Sequence, residues 1–380
     1  MAIRVPAVLA ALVASAGLAV SGADSVQRRY LPGSNVLRTV RESGDVHAVA
    51  YTSLGGPAEI PRDRRWLARA KPLGSGAPAW ARRMYLRSLL VLRALTDRRT
   101  GAVIAGSREG WAYVWPRDAS AGAMALASAG YRPEARRIVR FLLRLDLGAA
   151  ARFHPDGQPV EGRAAQGDAA GWIAVAARAV GLPYPRPAQP WRDHADYQEG
   201  DHGNYLANAM ASTAGEPKDI PAGGPSVRRR TEREIQREFA TTGVLVREAD
   251  DPRSGVDSAA AWAVQPFALK ALYPAARRTL LRIAAGSSRF GVLPSEDWDG
   301  GDDPWTAPTA WTAWSLAALG ERHAALGLMA ELRRDETPGG MLPERVDSRT
   351  GIPTSTTPLA WSHAFAILTL RELWPRRATS

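Results

Sequence analysis

The sequence predicts an all-helical domain of paired helices, and three observations carry the prediction. Apolar residues recur at helical spacing along most of the chain after residue 76. Alternating β patterns are scarce. Glycine, proline and tryptophan gather in the stretches between the periodic runs.

The first run has Trp80, Met84, Leu89, Leu92 and Leu95 on one stripe. Residues 132–146 place Ala135, Ile138, Val139 and Leu142 on one side and Arg136, Arg137, Arg140 and Arg144 on the other. The same reading predicts helices at 117–129, 168–181, 203–213, 228–241, 256–271, 274–285, 308–319, 321–334 and 358–373. Gly130 and Gly320 stand where left-handed caps end helices. Thr357 and Pro358 read as a capping oxygen and a first-turn proline. No fixed-period repeat argues for a solenoid, so a closed ring of helical hairpins and an irregular helical bundle both fit the pattern.

Residues 1–23 read as a secretory signal: Arg4, then an apolar run from Val5 to Val20, then the small residues Ser21-Gly22-Ala23. The expectation is a secreted protein. Residues 24–75 read as an irregular N-terminal arm, and 76–380 as the main domain. The chain has no cysteine, so disulfides and thiolate metal sites are excluded. Its formal net charge is +11, carried almost wholly by arginine. Basic and acidic residues interleave, and the densest run, Arg228-Arg229-Arg230, leads into charges of both signs three and four apart, a solvated helix face. Nothing resembles a groove-reading helix or a stacking sheet, so nucleic acid is not expected; the charge leaves weak attraction to an anionic cell surface open.

Nucleotide and metal motifs fail. Gly74-Ser75-Gly76 follows no strand, the six histidines form no metal-spaced helical pair, and no serine occupies a nucleophile elbow. Asp297, Asp299, Asp302 and Asp303 lack the spacing of a calcium loop. The loops instead set aromatic residues beside carboxylates: Tyr113-Val-Trp115-Pro-Arg117-Asp118, Asp196-Tyr-Gln-Glu199, Glu296-Asp297-Trp with Pro304-Trp305, Leu342-Pro-Glu344, and Leu359-Ala-Trp361-Ser-His363. Flat aromatic faces suit sugar rings, and two separated carboxyls suit glycoside cleavage.

In this order the segments resemble glycoside hydrolase family 15, the glucoamylase-like catalytic domains, from about Gly101 to about Leu373. The resemblance implies an (α/α)6 toroid and an inverting, exo-acting hydrolase that removes glucose from non-reducing ends of α-glucosides, as a monomer without metal or cofactor. It implies that Arg117 and Asp118 hold the terminal sugar, with Tyr113, Trp115, Gln166, Asp168, Glu296, Asp297, Trp305 and Trp361 as further substrate-binding residues. It makes Glu344 the catalytic base and Glu199 the general acid, about 6.5–9.5 Å apart in an inverting pair. The chain departs from the family at Gln198, where the family has Trp, and lacks its sugar-binding Arg before Gly291 unless Arg289 replaces it. Glu161 is a second candidate acid. The same chemistry on trehalose or an envelope polysaccharide, and a non-catalytic sugar-binding protein, are the other readings that these segments allow.

Overall fold

Inner and outer helices differ in sequence, and that difference builds the ring. A computed structural model describes residues 25–376 except Pro32 and residues 44–45, 53–58, 109, 186–189, 200–201 and 215–226. The expected signal segment 1–23 lies outside the described residues.

Five helices are buried almost all round: α3 (Pro116–Ser128), α5 (Ala169–Val180), α6 (Leu206–Ser212), α9 (Thr306–Ala318) and α11 (Ala360–Leu373). They are rich in alanine and bear almost no charge, as a helix enclosed by others must be. Together with a 3₁₀ segment, Ser258–Ala263, they form the inner ring in the order α3, α5, α6, 3₁₀, α9, α11, and α11 packs back on α3. Small residues set the spacing. A β-carbon on Gly171 of α5 would stand 2.1 Å from the Ala211 carbonyl of α6, so only glycine permits that approach.

The outer helices are α2 (Ala79–Leu95), α4 (Arg132–Leu142), α7 (Val227–Phe239), α8 (Tyr273–Ala285) and α10 (Arg322–Arg334). On α4 the buried residues are Ala135, Ile138, Val139, Phe141 and Leu142, and the arginines are turned outward, as the periodicity predicts. Gly130 and Gly320 close α3 and α9 at φ +99° and +85°. Among the described residues no outer helix stands between α5 and α6. The architecture is nevertheless the (α/α)6 toroid of glucoamylases.

Three expectations need correction. Residues 256–271 are not one helix: the 3₁₀ segment stops at Ala263 and a second turn covers Lys270–Leu272. Pro266 supplies no amide for a continuing helix and its ring disfavours helical geometry at Gln265. Thr357 does not cap α11; Leu359 is the capping position and the Thr357–Pro358 bond is cis. Nor is the N-terminal arm irregular. It forms an antiparallel meander, β1 (Ser25–Tyr30), β2 (Leu37–Ser43) and β3 (Val46–Thr52), followed by α1 (Glu59–Leu67). Ser43 pairs with Val46, so only two residues join β2 to β3, the connection length most common in hairpins. The arm docks on α2 through the Asn35 side chain, which donates to the Leu90 carbonyl at 3.1 Å, and through Arg87, which donates to Ser34 O at 3.0 Å.

The centre of the ring is filled by rings in edge-to-face contact. Trp172, Trp262, Trp311 and Phe365 are fully buried, with centroids 4.9 Å (Trp172–Trp262), 5.5 Å (Trp262–Trp311) and 5.5 Å (Trp311–Phe365) apart. Tyr197 and Trp361 extend this cluster to one end, 5.4 and 5.1 Å from Trp311. The barrel is therefore plugged, and the plug is the floor of a pocket.

Candidate active site

Trp115, Arg117 and Asp118 at the start of α3, Trp305 before α9, and Leu359 and Trp361 at the start of α11 all line that pocket. Helix N-termini thus converge on it, and their partial positive charge favours acceptor groups there. Glu199 and Glu344 enter from two loops of the same end, with Trp111 and Arg163.

The floor is built around Arg117, which is 3% exposed. Its Nη1 donates to Asp168 Oδ2 at 2.6 Å and to Gln166 Oε1 at 3.1 Å, and its guanidinium lies 4.8 Å over the Trp361 ring. Gln166 and Asp168 therefore stand behind the pocket and hold Arg117. Arg117 Nε, 4.0 Å from Asp118 Oδ2, has no hydrogen-bond partner in the protein, and neither do the indole N–H groups of Trp305 and Trp361. Buried donors without partners are costly. Burial pushes the Asp118 carboxyl up to about 7; Arg117 opposes the rise and Glu344 adds to it.

Glu344 is fixed at both ends of its residue. Its amide donates to Thr356 O at 2.9 Å, and its carbonyl accepts from Thr306 N–H at 3.0 Å. The Trp111 indole donates to Oε1 at 3.3 Å and the Ser355 hydroxyl donates to Oε2. Two residues earlier, the Leu342 amide donates to His363 Nε2 at 3.0 Å. Both segments of the sequence reading, Leu342-Pro-Glu344 and Leu359–His363, are thus parts of one support.

Glu199 closes a tight turn. Its amide donates to Asp196 O at 3.1 Å, and the Gln198 amide donates to Asp196 Oδ1 at 2.9 Å. Glu199 itself has φ +61°, a left-handed conformation that costs a residue with a β-carbon about 1–2 kcal/mol. A buried network absorbs that cost. Arg247 spans Asp196, Asp257 and Asp297 at 3.7, 3.8 and 3.1 Å. Burial alone would lower the Arg247 guanidinium, but these acids outweigh it and hold it above its ordinary value. Tyr197 OH lies 2.8 Å from Asp257 Oδ1, and Gln198 donates to Asp257 Oδ2 at 3.1 Å and accepts from Ser295 at 3.2 Å. Gln198, the departure from the family pattern, is therefore a member of this network. Above it, the Trp115 indole donates to Glu199 Oε1 at 3.0 Å, and Arg163 forms an ion pair with Oε2.

Seven of the expected residues thus share the pocket: Trp115, Arg117, Asp118, Glu199, Trp305, Glu344 and Trp361. Tyr113 does not line it; it packs beside Trp115 and edge-on to His154, under the Arg152 guanidinium. Glu296 and Asp297 lie outside it as well. Glu296 is taken by Arg282 at 2.7 and 2.8 Å, and Asp297 by Arg247. Glu161 is exposed and lines no part of the pocket. Sequence reasoning missed Trp111, Arg163, Ser355 and Arg247. Trp111 had a signal, since it opens the aromatic segment that ends at Asp118; Arg163 and Arg247 had none.

Residues 79–148, which span α2, α3 and α4 and include Trp111–Asp118, match the family model "Glycosyl hydrolases family 15". The chain resembles glycoside hydrolase family 15. Its fold is that of solved family-15 structures and other glycosidases. A wild-type glycosidase superposes with a TM-score of 0.64 at 22% identity, covering 78% of this chain and 97% of that one. A bacterial glucoamylase complexed with acarbose gives 0.63 at 16% identity, covering 83% of this chain and 58% of that one. The glucoamylase from Saccharomycopsis fibuligera gives 0.61 at 14% identity, covering 80% and 98%. No curated protein matches the chain. The family-15 match falls on the segment that supplies Trp115, Arg117 and Asp118 and stops before either candidate catalytic carboxylate, so the roles of Glu199 and Glu344 rest on the pocket itself.

Proposed function

We propose that this protein is an inverting, exo-acting glycoside hydrolase that removes glucose from the non-reducing ends of α-glucosides. The observation that carries the reading is that Glu199 and Glu344, from loops 145 positions apart in sequence, line one pocket together with Arg117, Asp118, Trp305 and Trp361. The likeness to glucoamylases, one of them complexed with acarbose, and to a glycosidase in complex with glucose supports the substrate class.

In the proposed reaction Glu199 is protonated and Glu344 ionised. Glu199 gives its proton to the glycosidic oxygen as the bond from that oxygen to the anomeric carbon breaks. Water attacks the anomeric carbon from the opposite face and loses a proton to Glu344. Glu199 is reprotonated from solvent and Glu344 releases its proton there, so the cycle closes. The Trp111 and Ser355 donors aim the Glu344 carboxylate. Arg117, Asp118 and Trp361 close the pocket below, so it accepts a chain end and not the middle of a chain. We further propose that residues 1–23 direct export and that the protein works outside the cell on soluble oligosaccharides.

The test is hydrolysis of maltooligosaccharides with the anomer of the released glucose followed by NMR. β-Glucose as first product supports the reading, and α-glucose overturns inversion. Glu344→Gln is expected to lower turnover by about 10²–10⁴-fold with little change in sugar affinity, because it deletes only the base. One observation favours a second reading, a sugar-binding protein without turnover: Glu199 is ion-paired to Arg163. Calorimetric binding of maltooligosaccharides by a protein that hydrolyses no α-glucoside, neutral or acidic, would establish that reading.

A further inference from the structure

The Arg163–Glu199 pair conflicts with the acid role unless something removes it. One Glu199 oxygen accepts from the Trp115 indole and the other is ion-paired with the Arg163 guanidinium, so both oxygens are engaged. A general acid must carry a proton when the glycosidic bond breaks.

The position of Arg163 says what could take it away. The Arg163 and Glu199 side chains are 37% and 29% exposed, against 4% and 6% for Arg117 and Asp118 on the floor. The pair therefore stands at the mouth, on the side where the leaving group of an exo-cleaved chain must lie. Arg152 is close enough to repel Arg163; it lies 4.9 Å over Tyr113 and 5.5 Å over Trp115, and its buried Nε has no partner in the protein. Neutralising Glu199 would leave the two guanidiniums against one carboxylate, Glu344, which Trp111 and Ser355 already hold, and so short of a counter-charge. Sugar hydroxyls cannot supply one, whereas a carboxylate can, with the two-point geometry that guanidinium prefers.

Building on the hydrolase reading, we propose that the natural substrate carries a carboxylate on the sugar at the leaving-group side, a hexuronate, and that Arg163 is its ligand. The substrate carboxylate takes Arg163 from Glu199, and Glu199 then takes up a proton from solvent and becomes the acid. Arg163 is thus a specificity-determining residue, and a neutral leaving group leaves the acid latched.

The experiment uses a matched pair, α-glucosyl-(1→4)-glucose and α-glucosyl-(1→4)-glucuronate, with the wild type, Arg163→Lys and Arg163→Gln. Hydrolysis is measured as kcat/KM, and binding by calorimetry to the Glu344→Gln form of each. The wild type is expected to prefer the uronate by about tenfold or more, Arg163→Gln to lose that preference, and Arg163→Lys to keep part of it. Hydrolysis of the neutral substrate at an equal or higher rate, with a ratio unmoved by Arg163→Gln, overturns the proposal and leaves the hydrolase reading intact. Uronate binding that depends on Arg163, without hydrolysis of either compound, upholds the uronate site and overturns the hydrolase reading. Absence of both hydrolysis and uronate binding overturns the proposal.

Discussion

Replacing His363 by Phe separates the support of the proposed base from the base itself. His363 is fully buried on α11, and burial, with Arg87 adding to it, lowers its pKa to about 3. The ring is therefore neutral at pH 7 and well below it. Because Nε2 accepts from the Leu342 amide, the ring proton lies on Nδ1 and is donated to Ser88 Oγ at 2.9 Å. Phe fills nearly the same volume and offers neither function. The Leu342 amide would then be buried without a partner, at a cost of about 1–3 kcal/mol, while Ser88 can turn to a carbonyl of its own helix and lose little. With some repacking, urea unfolding should show a loss of about 2–4 kcal/mol. Leu342 is two residues from Glu344, so the carboxylate loses its aim. A displacement of about 1 Å can cost on the order of 10²-fold in rate, which should appear in kcat and not in KM, since Arg117 and Trp361 are held by other contacts. His363→Gln, whose amide oxygen can accept from Leu342, should restore part of the loss. A His363→Phe protein with wild-type kcat would refute the support argument. One with a displaced limb of the pH profile between pH 6 and 8 would show that His363 titrates there.

Other perturbations test other parts. Arg117→Lys withdraws the nitrogen that bridges Asp168 and Gln166 and gives up the flat contact with Trp361, and steady-state kinetics should show kcat/KM falling by about 10–100-fold; unchanged kinetics would make Arg117 dispensable to the sugar site. Glu199→Ala should cripple cleavage of natural glucosides, whose alkoxide needs a proton, and spare far more activity on α-glucosyl fluoride. Equal losses on the two substrates would make Glu199 a sugar-positioning group. Asp335 is buried with neither carboxylate oxygen hydrogen-bonded, and burial, with Glu331 adding to it, pushes it up to about 8. The folded state then binds this proton more tightly than the unfolded chain does, so stability is greatest below the ordinary carboxylate value and falls as pH rises toward 8. Asp335→Asn should flatten that fall by up to several kcal/mol between pH 5 and pH 9 in urea titrations, and parallel curves for the two proteins would sink the assignment.

Most of the ring could be read from the chain because enclosed and half-enclosed helices leave different marks on composition. Ala-rich, uncharged runs such as 169–180 belong inside, and the arginine-faced run at 132–142 belongs outside. The failures have local causes. Pro266 breaks a stretch whose hydrophobicity otherwise suits a helix. In the arm, seven-residue runs such as Leu37–Ser43 are too short for periodicity to separate a strand from a loop, and pairing between strands, which no single run displays, settles the matter.

The site was legible where one short segment carries both the chemistry and its direction. Trp115-Pro-Arg117-Asp118 is such a segment: the proline starts α3, and the helix start fixes where the next two side chains point. Glu296 and Asp297 have the same composition around them, yet they face away, because the chain between Ser295 and Trp305 brings only its last residue back to the pocket. Direction in a loop depends on partners remote in sequence, here Arg282 and Arg247. The same holds, with larger consequence, for Arg163. Its identity says nothing in a chain with 49 basic residues, and only the fold brings it against a carboxylate that the sequence had already singled out. Composition can name the groups able to donate a proton, but the charge that stands beside them decides which donates, and with what substrate.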